Sequence, residues 1–122
     1  MVFDASAIMA ILGMEAGEQR ASSHLGDGAV VSVVNAGEVI GKLVRRGVPF
    51  DRAVEAIEAL DLTWVQPDAA QARRVGELGV VKNLSLADRF CIALGEARNE
   101  PLLTGDRDWA ALDLHVPTEL IR

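Results

Sequence analysis

At 122 residues, half of them apolar, the chain has the size of one ordinary domain and can bury a core without metal or disulfide staples. Its net charge of −6 argues against holding nucleic acid by bulk electrostatics, and two tryptophans, three phenylalanines and no tyrosine leave few rings for stacking bases. Cys91 has no internal disulfide partner, no N-terminal stretch has a signal-peptide layout, and no apolar run approaches the roughly 20 residues of a membrane span, so a cytoplasmic protein with no membrane role is expected.

Taken in order, strand-like and helix-like segments alternate. Met1 to Asp4 is a short apolar run with the character of a buried strand, and Ala5 to Leu12 are good helix formers closed by Gly13. A more polar helix is expected from about Ala16 to Leu25, then a turn at Gly26-Asp27-Gly28 and a strand over Ala29 to Val34. Asn35 opens a helix with Ala36, Ile40, Leu43 and Val44 at helical spacing, which stops at Gly47-Val48-Pro49. Asp51 begins another, Leu62 to Val65 reads as a third strand, and Pro67-Asp68 starts a helix towards Gly79. Ser85 to Arg98 is a further helix and Pro101 to Thr104 a fourth strand. A short helical turn follows at Trp109 to Leu112, with a weak fifth strand at Leu114 to Val116. Strands separated by helices imply right-handed crossovers and a parallel sheet covered on both faces, in one domain spanning residues 1–122.

Four acids stand where an apolar run gives way to a helix: Asp4, Glu38, Asp88 and Asp106. In open parallel sheets ligands gather outside the carboxyl ends of the strands, where the strand order reverses, and Asp4 and Asp106 fall at or just past such ends. Each acid also has a structural explanation. Asp4 and Asp106 suit N-caps, Asn35 with Glu38 fits a capping box, Ser85 with Asp88 nearly does, and Glu38 can pair with Lys42 one turn later. Asp88 resists this account best. It shares a helical stripe with Leu84, Cys91, Ile92 and Gly95, while Arg89 and Glu96 mark the expected solvent face, and an acid on an apolar stripe is costly unless paired or bound to a cation.

Converging carboxylates repel one another unless something positive lies among them, and Mg²⁺ or Mn²⁺ prefers oxygen ligands to the imidazole and thiolate that are nearly absent from this chain. Such a site suits hydrolysis of phosphodiesters by a metal-activated water, with no protein nucleophile. His24, His115 and Cys91 are accordingly expected to stand outside the chemistry.

The segments VFDASA, SVVNAGEVIGKL, LSLADRFCIALG and LLTGDRDW together resemble the PIN domain, and within it the VapC-type toxins of bacterial toxin–antitoxin pairs, across essentially the whole chain. The resemblance implies a three-layer α/β/α sandwich with a central parallel sheet of four to five strands and a metal-dependent endoribonuclease. It makes Asp4, Glu38, Asp88 and Asp106 the catalytic acids, with Asp4, Asp88 and Asp106 holding Mg²⁺ or Mn²⁺. Ser6, Asn35 and Thr104 match supporting positions, Asp108 an outer one, and Gly105 stands where alanine is common.

The resemblance further implies an RNA substrate, a cognate antitoxin and a homodimer. Local cations for the RNA backbone would come from Lys42, Arg45, Arg46, Lys82, Arg89 and Arg107. Two readings from other classes stay open: a catalytically inert PIN-like binding module, and a metal-dependent phosphatase or phosphoryl-transfer domain. The second is disfavoured because Asp4 is followed two positions later by Ser6 rather than by another aspartate.

Overall fold

Apolar pairs at the centre of three strands set the architecture. In the computed structural model, which describes residues 1–122, Val2-Phe3, Val30-Val31 and Leu102-Leu103 are all essentially inaccessible to solvent. Successive strand residues face opposite sides of a sheet, so each pair puts one side chain into each of two cores. Phe3, Val31 and Leu103 enter one core with Ile8, Val39 and Ile57. Val2, Val30 and Leu102 enter the other with Ile92, Leu94 and Trp109.

The strands are β1 (Val2–Phe3), β2 (Val30–Ser32), β3 (Thr63–Val65), β4 (Leu102–Thr104) and β5 (Thr118–Leu120). They pair in parallel throughout, in the order β3-β2-β1-β4-β5. Six helices cover the sheet: α1 (Ala5–Leu12), α2 (Glu18–Ser22), α3 (Val33–Arg45), α4 (Phe50–Glu58), α5 (Ala69–Glu77) and α6 (Leu86–Arg98). The result is the expected α/β/α sandwich with a five-stranded parallel sheet. No helix is long and apolar enough to cross a membrane. Strand order reverses between β1 and β4, so the crevice that parallel sheets use for ligands opens beyond Phe3 and Thr104.

Several boundaries differ from those the sequence suggests, each for a local reason. The run Ala29 to Val34 does not stay extended. Ser32 accepts the Val34 N–H on its side chain at 3.2 Å, so α3 starts at Val33 despite two β-branched residues, and Asn35 lies inside the helix rather than at its cap. The capping box expected of Asn35 and Glu38 is therefore absent.

The second helix is only Glu18–Ser22, because Gly17 sits at φ +92°, where a side chain would also run into the carbonyl oxygen of Ile121. Residues Leu114 and Val116 go into the core as irregular chain, and it is Thr118–Leu120 that pairs with Leu102–Thr104 as β5. The helix after Pro67 begins at Ala69, with the Asp68 carboxylate accepting the Gln71 N–H at 2.9 Å. It tightens to a 3-10 turn at Leu78–Val80. Pro49 puts the start of α4 at Phe50.

Helix α6 packs on β1, β2, β4 and α3. It comes so close to the sheet at Gly95 that a methyl group there would collide with the Leu102 side chain. Asp88 lies in the first turn of this helix, about two turns before Gly95.

Candidate functional site

Asp4 sits in the reversal crevice with extended backbone, its N–H bonded to the Leu103 carbonyl at 2.9 Å across to β4. It occupies the N-cap position of α1, yet its side chain caps nothing. Instead Oδ2 accepts the Ser6 hydroxyl at 2.6 Å and the Thr104 hydroxyl at 2.8 Å. Each hydroxyl has one proton, so both are committed to Asp4 and the 3.2 Å approach between Ser6 and Thr104 has none left to share. Both oxygens then act as acceptors for the next segment: Gly105 N–H donates to Ser6 at 2.8 Å and Asp106 N–H to Thr104 at 3.1 Å.

Burial raises the Asp4 pKa above the ordinary carboxylate value. The Ser6 and Thr104 hydrogen bonds oppose that rise and the charge of Asp88 adds to it.

Two more acids lie near enough for their charge to be felt. The thiol of Cys91, one turn beyond Asp88 on α6, is pushed well above its usual pKa, first by burial and then by the charges of Asp4, Asp88 and Glu38. Asp4 just past β1, Glu38 on α3 and Asp88 on α6 thus all act on this one buried thiol through their charge. Glu38 reaches Lys42 with Oε1 at 3.5 Å, while its Oε2 is buried with no hydrogen-bond partner. Asn35 is wholly buried and its amide NH₂ donates to the Ala87 carbonyl at 3.1 Å, tying α3 to the first turn of α6. Its Oδ1 has no donor.

Asp88 and Asp106 are each used locally as well. Ser85 and Asp88 complete a reciprocal capping box, the Ser85 N–H meeting Asp88 Oδ2 at 2.9 Å and the Asp88 N–H meeting the Ser85 hydroxyl at 3.1 Å. Asp106 accepts the Asp108 N–H on Oδ1 at 2.9 Å, capping a 3-10 turn over Arg107–Ala111. Asp106 is joined to Asp4 through the shared Thr104 hydroxyl, and Asp108 is exposed. No three Asp, Glu, His or Cys side chains are arranged to hold one metal ion between them.

The donor set still fits a hard cation. It offers oxygen only, two of its buried oxygens lack any donor, and its central carboxylate is penalised for being charged. Asp88 and Asp106 each have only one oxygen bound in a cap.

Of the six cations expected near the RNA backbone, the structure groups three. Lys42, Arg45 and Arg46 line a cleft of about 370 Å³ together with Ser6, Met9, Glu15 and Arg122. Lys82 is exposed and outside that lining, Arg107 is exposed with its Nε 3.4 Å from the Arg122 carbonyl oxygen, and Arg89 has its Nε buried without a partner. Arg122 carries no sequence signal of its own. Its place follows from β5, which runs beside β4 and delivers the residue next to Gly105.

The solvent face assigned to α6 needs correction at Glu96. Its side chain is 6% exposed, because α5 packs alongside and Arg74 Nε reaches it at 2.7 Å, while the His115 Nδ1 and backbone N–H each meet it at 3.0 Å. Burial pulls the Glu96 pKa up, but the bonds from Arg74 and the His115 N–H outweigh it and hold the group below its ordinary value. His24 is likewise held in a surface contact, 2.7 Å from Glu119.

A five-stranded parallel sheet between two helical layers, with the buried Asp4 at its strand-order reversal, defines an open α/β/α sandwich. Residues 1–114 match the family model described as the PIN domain, and the chain belongs to that family.

Similar solved structures include a toxin–antitoxin complex from Klebsiella pneumoniae, 15% identical with a TM-score of 0.78 over 99% of this chain and 97% of that one. VapBC-5 from Mycobacterium tuberculosis is 24% identical, with a TM-score of 0.66 over 99% and 96% of the two chains. VapC20 from the same organism, a toxin that cleaves the sarcin-ricin loop, is 20% identical with a TM-score of 0.75 over 93% and 96%. At these identities the likeness is one of fold. Among curated protein sequences there is no match.

Proposed function

We propose that the chain is a Mg²⁺- or Mn²⁺-dependent endoribonuclease acting as the toxin of a toxin–antitoxin pair. The observation that carries this reading is the buried Asp4 carboxylate at the strand-order reversal, whose pKa the charge of Asp88 helps to raise, with unpaired buried oxygens on Asn35 and Glu38 of α3. Asp4, Asp88 and Asp106 would hold the cation, with Glu38 beside them. A divalent ion bound there would lower the pKa of a coordinated water and offset charge developing on the phosphoryl oxygens.

The chain's own residues do the positioning. Ser6 and Thr104 fix the Asp4 carboxylate and couple it to the backbone that carries Asp106. Asn35 locks α3 to α6, which sets Glu38 relative to Asp88. Cys91 stays a neutral thiol beneath the acids and takes no part.

Family membership and the toxin–antitoxin neighbours support an antitoxin partner, and with it the dimer and RNA substrate expected of this type. A basic segment of the antitoxin would meet the carboxylates by charge alone.

A second reading, an inert acid-lined binding module, draws on the caps that occupy Asp88 and Asp106 and on the lack of a closed ligand set. One experiment separates the two. Purified protein incubated with RNA and Mg²⁺ should cut the polymer, and both Asp4→Asn and chelation should abolish cutting. Intact RNA with the unmodified chain refutes the nuclease reading and leaves the binding module.

A further inference from the structure

Next to the acids the surface changes sign. Lys42, Arg45 and Arg46 from the end of α3 and Arg122 beyond β5 line one cleft, opposed by the single carboxylate of Glu15, on a chain whose net charge is −6. Two of these cations are partly matched, with Arg46 3.5 Å from Glu15 and Lys42 3.5 Å from Glu38. Arg45 has no ion pair, and the Arg122 guanidinium meets only a neutral group, the Ala16 carbonyl at 3.0 Å.

The cleft and the acid crevice share a wall. Ser6 lines the cleft while donating to Asp4, and it accepts the N–H of Gly105. Gly105 in turn supports Arg122: a Cβ added there would stand 2.8 Å from both Cζ and Nη2 of the guanidinium. Any larger residue at position 105 would push that group off the backbone.

A phosphodiester approaching buried carboxylates is repelled by them, and an acidic chain needs a local attractor to bring the polymer in. Guanidinium groups bind phosphate oxygens two at a time and cannot lose their charge.

We propose that this cleft is an anion subsite for a backbone phosphate of the same RNA strand whose neighbouring phosphodiester meets the carboxylates. Arg45 and Arg122 are its free cations, and Gly105 is the residue that admits Arg122. The identity of the strand rests on the ribonuclease reading, whereas the test of the subsite does not require cleavage.

The test is binding of a fluorescent single-stranded RNA oligonucleotide, followed by anisotropy in chelator across a range of salt. For single strands each phosphate-neutralising cation contributes about 0.7 to the slope of log affinity against log salt. Arg45→Ala with Arg122→Ala should therefore lower the slope by about 1.4, with about tenfold weaker binding at low salt. Gly105→Ala obliges only the flexible tip of Arg122 to shift, so it should lower the slope by less than Arg122→Ala does. Arg52→Ala with Arg73→Ala, two exposed cations outside the cleft, should leave the slope unchanged.

An unchanged slope in the cleft variant, or an equal fall in the control pair, overturns the subsite, and melting curves verify that each variant is folded. A parallel Mg²⁺ cleavage assay keeps the two readings apart. Cutting with an unmoved slope sinks the subsite alone, and a fallen slope without cutting sinks the nuclease while the phosphate site stands.

Discussion

Ser6 gives its only proton to Asp4, at 2.6 Å, and receives one from Gly105. It is thus a bridge between the strand end that carries the central acid and the loop that carries Asp106. Ser6→Ala removes a donor from Asp4 and leaves the partly buried Gly105 N–H without an acceptor. The expected cost is about 1–2 kcal/mol of stability. Under the ribonuclease reading cleavage falls about 10- to 100-fold, because the acids remain but lose their alignment. Melting and single-turnover cleavage check this, and unchanged cleavage would show that the bridge is dispensable.

Asp4 itself destabilises the protein when it is charged and no cation is present. Its folded pKa is raised, so its stabilising contribution is complete below the unfolded value of about 3.9 and is lost as pH rises through the folded value. Asp4→Asn should therefore raise the melting temperature of metal-free protein at neutral pH, and the gain should vanish towards about pH 3.5. Mg²⁺ should raise the melting temperature of the unmodified chain and have much less effect on the variant. A lower melting temperature for Asp4→Asn at neutral pH would contradict the burial argument.

The two halves of the α6 capping box can be separated by mutation. Ser85→Ala removes the side chain that accepts the Asp88 N–H and should cost about 1 kcal/mol while leaving the charge at Asp88 in place. Asp88→Asn keeps an acceptor for the Ser85 N–H, so the fold should be little changed. If Asp88 holds metal, cleavage drops more than about a hundredfold, since loss of an outer partner of a metal ligand alone costs about 10- to 100-fold. The reverse pattern, active Asp88→Asn and inactive Ser85→Ala, would make Asp88 a cap and nothing more.

These contrasts bear on what the sequence discloses. The doubled apolar pairs at Val2-Phe3, Val30-Val31 and Leu102-Leu103 announce a sheet buried on both faces, and helices between them force parallel pairing, so the sandwich was legible. The places of Asp4 and Asp106 just past two strands are legible as well, because a strand end is visible in the pattern of apolar residues. Asp88 stood out as an acid on an apolar stripe, although the Ser85 box that also employs it looked incomplete.

What local pattern cannot give is long-range pairing. Arg74 finds Glu96 and turns an expected surface acid into a buried one, and Arg122 meets Gly105 across 17 positions of sequence. Val33 and Val34 favour a strand by propensity, and one Ser32 hydroxyl decides for the helix.

Glu96 offers a test of that buried pairing away from the acid crevice. Its carboxylate accepts two bonds from Arg74, at 2.7 and 3.1 Å, and one from the His115 N–H, and its pKa is held below the ordinary range. A depressed acid stabilises the fold above its unfolded pKa of about 4.3, and that contribution is lost as pH falls through the folded value. Glu96→Gln should cost about 1–2 kcal/mol near pH 6, several degrees of melting temperature. The gap between variant and parent should narrow steadily as the pH drops below about 4.3. Cleavage should be unaffected, since Glu96 lies two turns of α6 beyond Asp88 and lines a different depression with Gln71, Arg74 and His115. A gap independent of pH down to about 3 would show that Glu96 acts through its shape and not its charge.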